Sequence, residues 1–106
     1  MVETEILEKV KEFARTVERE GIRITKIILY GSRLAGKSHE DSDIDVAVVS
    51  PDFGEDRYEE GVKLFEIGYR IDPRIEPVPV SLEAYENDTW VPLIYEIRKT
   101  GIEVER

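Results

Sequence analysis

Between positions 4 and 20 the apolar residues fall at Ile6, Leu7, Val10, Phe13, Ala14 and Val17, one stripe at helical period, and Gly21 stands where a C-terminal cap is expected. The spacing predicts an amphipathic helix over Thr4–Glu20 that covers a sheet. The period then shortens. Ile22–Tyr30 is rich in β-branched residues and ends in the run Ile27-Ile28-Leu29-Tyr30, as a buried strand would. Gly31-Ser32 follows as a turn. Asp43–Ser50 predicts a second strand, stopped by Pro51, with turn residues through Gly54.

Asp56 can cap a helix with Glu59 at the capping-box position, and Tyr58, Val62, Phe65 and Tyr69 recur every three or four residues, so a second covering helix runs to about Arg70. Packing into the core explains those aromatics better than base stacking. Ile75–Val80 alternates apolar residues with Glu76, Pro77 and Pro79, which predicts a strand at an edge or a bulge. Ser81 can cap a short turn through Tyr85, Pro92 opens a helix bearing Leu93, Ile94 and Ile97, and Gly101 ends it before a short last strand, Ile102–Val104. Trp90, beside Val91 and Pro92, is either core or partner surface. The expected fold is α/β or α+β: a small mixed sheet of about four strands covered by helices, mainly on one face, in a single domain spanning residues 1–106.

At 106 residues there is room for one core and none for a separate substrate domain. A net charge of -9 argues against a direct nucleic-acid binder, which needs a basic face. No apolar run approaches the roughly 20 residues that cross a bilayer, and the acidic start lacks the layout of a signal peptide, so no membrane association and a cytoplasmic location are expected. Without cysteine there is no thiolate chemistry.

The chemistry concentrates between positions 31 and 45. Asp43 and Asp45 are two apart on a predicted strand, so their side chains leave one face with α-carbons roughly 7 Å apart and can converge on divalent ions. Two magnesium ions about 4 Å apart activate an attacking oxygen and neutralise a leaving pyrophosphate. Glu76 is the candidate third carboxylate, with Asp72 as its alternative. Gly31 allows a tight turn close to a ligand, and Ser32 with the amides after it can hydrogen-bond phosphate. Arg33 is better placed than Lys37 to neutralise triphosphate charge, and His39 reads as a solvated loop residue. Gly31-x-x-x-x-Gly36-Lys37-Ser38 also satisfies the P-loop pattern, but only His39–Ser42 separate it from the next strand, where a P-loop must open a helix.

Gly31-Ser32, ten intervening residues, then Asp43-x-Asp45 resembles the signature of the DNA polymerase β-type nucleotidyltransferases, most of all their minimal bacterial and archaeal branch, the MNT proteins. Arg33, Gly36 and Ser42 also look like that branch, and the likeness runs from the first helix to the strand bearing Glu76. The resemblance implies that Asp43, Asp45 and Glu76 hold two Mg2+ ions and that Gly31 and Ser32 hold the triphosphate, with Arg33 and Ser42 beside it. It further implies transfer of AMP from ATP to a hydroxyl, in many minimal members a tyrosine of a partner HEPN ribonuclease toxin that the antitoxin silences. A catalytically silent module that neutralises its partner by binding alone is the alternative.

Overall fold

The computed structural model describes residues 3–31 and 42–106. Helix α1 spans Thr4–Arg19 and buries Ile6, Val10, Phe13, Ala14 and Val17, as the stripe predicts. Strand β1 is Lys26–Tyr30, shorter than expected at its start. Arg23 explains part of this: its backbone N–H and its guanidinium both donate to Asp52, at 2.9 Å and 2.6 Å, which holds the approach as a tie to the β2 exit instead of a ladder. Strand β2 is Ile44–Ser50, so Asp43 stands one residue before the strand.

Helix α2, Arg57–Ile71, opens on Asp56, whose Oδ1 accepts from the Glu59 N–H at 3.1 Å. The reciprocal arm of this cap comes from Glu60, not Glu59: its carboxylate accepts from the N–H groups of Gly54 and Asp56. Strand β3, Ile75–Ser81, leads into the short α3, Leu82–Asn87, capped by Ser81 Oγ. Helix α4, Pro92–Thr100, and a two-residue β4, Ile102–Glu103, follow.

The strand order is β3-β2-β1-β4, with β1 antiparallel to β2 and β4, and β2 parallel to β3. Alternation divides the side chains between two layers. Ile27, Leu29, Ile44, Val46, Val48 and Ile75 meet α1 and α2, and a Cβ on Gly68 would lie 3.0 Å from Ile75, so α2 rides close on the sheet. On the opposite face Ile28, Ala47, Val49 and Val80 meet Ile94 and Ile97 of α4, with Leu82, Ala84 and Tyr85 of α3 alongside. The sheet is therefore covered on both faces, where the sequence suggested mainly one.

The aromatic residues of α2 depart from expectation. Tyr58 is 76% exposed, and Phe65 and Tyr69 also stand in solvent, their rings 6.0 Å apart. Their heptad-like spacing is real, but the buried face of α2 is carried by Leu64, Ile67 and Gly68. Strand β3 is an edge, one of the two settings its prolines allowed. Residues of one parity in a ladder turn their N–H groups to the neighbour, so Pro77 and Pro79 keep the pairing with β2 intact by pointing their donorless nitrogens outward.

Candidate active site

The entrances of β2 and β3 are locked by the ion pair of a buried Asp72 with a partly exposed Arg74. Asp72, only 7% exposed, accepts from the Arg74 backbone N–H at 2.9 Å and from its Nη2 at 2.7 Å, while Arg74 Nη2 also reaches Glu5 of α1 at 3.5 Å. The Arg74 guanidinium holds the Asp72 carboxyl down to a pKa of about 2. The Arg74 carbonyl in turn accepts from Ile44 N–H at 2.8 Å, which fixes where β2 begins relative to β3. Asp72 is thus engaged in positioning two strands, which leaves Glu76 as the acid of β3 that faces β2.

With that registration set, Tyr30, Asp45 and Glu76 fall in one row across three strands: Tyr30 is the pairing partner of Asp45, and Asp45 of Glu76. Directly paired residues place their side chains on the same face, with Cβ atoms about 5 Å apart. This face is the one that α4 only partly covers. Asp45 and Tyr30 are half-buried, whereas Asp43 and Glu76 are exposed. Burial first, then the charges of Asp43, Glu76 and Glu96, push the Asp45 carboxyl above its ordinary value. Burial first, then the charges of Asp45, Glu96 and Glu76, raise the Tyr30 hydroxyl to about 12. Negative charges gathered without a cation resist ionisation. A cation brought to this row would relieve that repulsion.

Gly31 closes the site on one side. Its φ of +87° lies in the left-handed region, and a Cβ there would fall inside contact distance of Asp45 Oδ2, with Asp45 Cγ at 3.1 Å and its Cβ at 3.3 Å. The glycine is needed both for the turn and for the room that the Asp45 carboxylate occupies.

The row supplies only oxygen donors, the set that suits Mg2+. Among the described residues no three acidic side chains close a cage around an ion. Magnesium does not require one, since it is ordinarily held by one or two carboxylates with substrate phosphates and water completing the shell. Of the residues singled out from sequence, the structure brings Asp45 and Glu76 together, with Asp43 near enough to bias Asp45 and Gly31 against its carboxylate. Ser42 is half-buried at the approach to β2. Ser32 and Arg33 lie outside the described residues, as does the remainder of the Gly31–Asp41 connection. Two groups that sequence reasoning passed over also face the row. Tyr30 could have been found from the hairpin register, but no motif marks Glu96.

The antiparallel pairing of β1 and β2 disposes of the P-loop pattern, which needs a helical crossover between parallel strands. The mixed sheet sets one tyrosine and two carboxylates side by side on three strands, next to a glycine turn. The family model described as nucleotidyltransferase domain matches residues 7–101, and the chain belongs to that family. No curated protein matches the sequence. Two solved structures share the fold: a protein from Sulfolobus solfataricus assigned as a nucleotidyltransferase (16% identity, TM-score 0.63, 93% of this chain and 78% of that one), and a toxin-antitoxin structure with AMP-PNP (24% identity, TM-score 0.58, 90% and 72%). Among the described residues no helix is long and apolar enough to cross a membrane.

Proposed function

We propose that this chain transfers AMP from ATP to a hydroxyl of a partner protein, a tyrosine of a HEPN toxin, and so acts as the antitoxin of a toxin-antitoxin pair. The observation that carries the reading is the register of Asp45 against Glu76 on parallel strands, with Asp43 two residues upstream and Gly31 packed on the Asp45 carboxylate. Support for the partner comes from the fold shared with a toxin-antitoxin structure that holds AMP-PNP.

In this reaction the acceptor oxygen forms a bond to the α-phosphorus, the bond from that phosphorus to the bridging oxygen breaks, pyrophosphate leaves, and the hydroxyl proton passes to water. Mg2+, when bound by Asp43, Asp45 and Glu76, supplies charge neutralisation at the phosphates and lowers the cost of forming the attacking oxyanion. The chain's own residues provide position. The Asp72–Arg74 lock holds Asp45 and Glu76 in register, Gly31 leaves the space for Asp45, and partial burial of Asp45 strengthens its attraction for a cation. In the same proposal Gly31 and Ser32 anchor the β and γ phosphates, with Arg33 and Ser42 beside them.

Incubation with ATP labelled at the α-phosphate, Mg2+ and the candidate toxin, followed by intact mass of both proteins, tests the proposal. AMP should appear on the toxin and vanish with Asp43→Asn. Toxin neutralisation that persists in Asp43→Asn, with no mass change in the wild type, would assign the chain to a silent binding role instead.

A further inference from the structure

Beyond the acid row, the α4-covered face carries a groove for which nucleotide binding gives no reason. Val78 and Val80 of β3, Ala84 of α3, and Val91, Leu93 and Ile94 at the start of α4 line a cavity of about 210 Å3. Through Phe53, Gly54, Ser81 and Asp88 it opens into a shallower hollow of about 690 Å3. The narrow part falls short of the roughly 300–1,000 Å3 of whole-ligand pockets and suits one apolar side chain. Its rim is acidic: Glu55, Glu60, Glu83, Glu86 and Asp88 stand against Arg57, the one cation among the described lining residues. Trp90, 79% exposed, directly precedes the lining residue Val91 in the chain.

The position ties the groove to the site. Val78 is two residues beyond Glu76 on the same face of β3, so the apolar floor begins about 7 Å from the acid row. An acidic rim repels phosphate, which argues against a second nucleotide. Two copies of a chain of net charge -9 would bring like-charged rims together, which argues against self-association here. A small apolar pocket with an acidic rim, and an exposed tryptophan next in the chain to one of its lining residues, has the composition of a protein-binding hot spot.

We propose that this groove docks the acceptor protein through a segment with an aliphatic or aromatic anchor flanked by Lys or Arg, and so delivers its hydroxyl to the neighbouring acid row. The inference rests on the transfer reading above. The partner's apolar side chain fills the space between Val78, Ala84 and Ile94, and its cations meet Glu83, Glu86 and Asp88.

Trp90 is the chain's single tryptophan and stands next to the lining residue Val91 in the chain, so its emission serves as the probe. Short synthetic peptides free of tryptophan serve as probes: Leu-Phe flanked by lysines, Leu-Phe flanked by glutamates, and Ser-Ser flanked by lysines. The expected result is a saturable blue shift with the lysine-flanked apolar peptide, at least about tenfold weaker binding of the glutamate-flanked one, and none with the serine peptide. Leu93→Glu should abolish the shift. The double change Glu83→Lys and Glu86→Lys, on exposed positions that leave the core intact, should reverse the charge preference, while Phe65→Glu on the far helix leaves binding as it was. Equal binding of all three peptides, no shift with any of them, or a sedimenting dimer that Leu93→Glu dissociates would overturn the proposal. Running the same peptides on Asp43→Asn separates the two readings. A retained shift without AMP transfer by the wild type discards the transfer reading alone, and transfer to the toxin unaltered by Leu93→Glu discards the groove alone.

Discussion

Gly31→Ala perturbs the site through two separable effects. The residue sits at φ +87°, and placing alanine in left-handed backbone costs roughly 1–2 kcal/mol. The new methyl also collides with the Asp45 carboxylate, whose Cγ would lie 3.1 Å away. Asp45 cannot easily yield, because its backbone is held in the ladder between Tyr30 and Glu76. Its carboxylate must rotate off the row. Gly21 provides the control: its φ is +93°, but a Cβ there meets nothing within 4 Å. Gly21→Ala should therefore show the backbone cost alone, about 1–2 kcal/mol in urea unfolding followed by circular dichroism. Gly31→Ala should lose more stability than that and, by displacing a ligand by about 1 Å, should slow AMP transfer by about 10²-fold. If the two variants are equally destabilised and Gly31→Ala transfers AMP at the wild-type rate, the packing of glycine against Asp45 has no functional weight.

Three further outcomes are expected. The Asp72 carboxyl, depressed to about 2 by Arg74, contributes stability that is present above its unfolded pKa near 3.8 and is lost as pH falls toward 2, so Asp72→Asn should cost about 2 kcal/mol at neutral pH and flatten the acid limb of a stability titration. The Tyr30 hydroxyl should ionise at about 12 in an ultraviolet titration, and Asp45→Asn should lower that value only in part because burial is the larger cause. Its raised value also means that stability falls from about pH 10 upward as the unfolded tyrosine ionises first. Ser81→Ala removes the acceptor of the Ala84 N–H and should lower the urea midpoint by an amount equivalent to about 1 kcal/mol.

The elements were legible in the sequence wherever one period persisted. The stripe of α1 and the apolar run of β2 appear where the spacing placed them, and of the edge or bulge that Pro77 and Pro79 called for, the structure has the edge. Long-range pairing was not legible. Arg23 leaves the strand because Asp52, far along the chain, takes its N–H, and the α2 aromatics satisfy a helical period without facing the core because Gly68 brings α2 onto the sheet by a different side. The same limit applies to the site. The Asp43-x-Asp45 spacing is local and could be read directly, whereas the contact of Gly31 with Asp45 exists only once β1 and β2 pair with Tyr30 opposite Asp45. The retirement of Asp72 into an ion pair and the approach of Glu96 from α4 depend on tertiary placement that no short motif records.

The prolines of β3 bear on how such a chain behaves when concentrated or heated. Fibril growth begins when a foreign strand finds a row of backbone donors to copy, and this edge offers none at positions 77 and 79. The opposite edge is only two residues long. Templated polymerisation therefore has no sufficient foothold at either end of the sheet, and encounters between molecules are left to side chains, whose contacts come apart again.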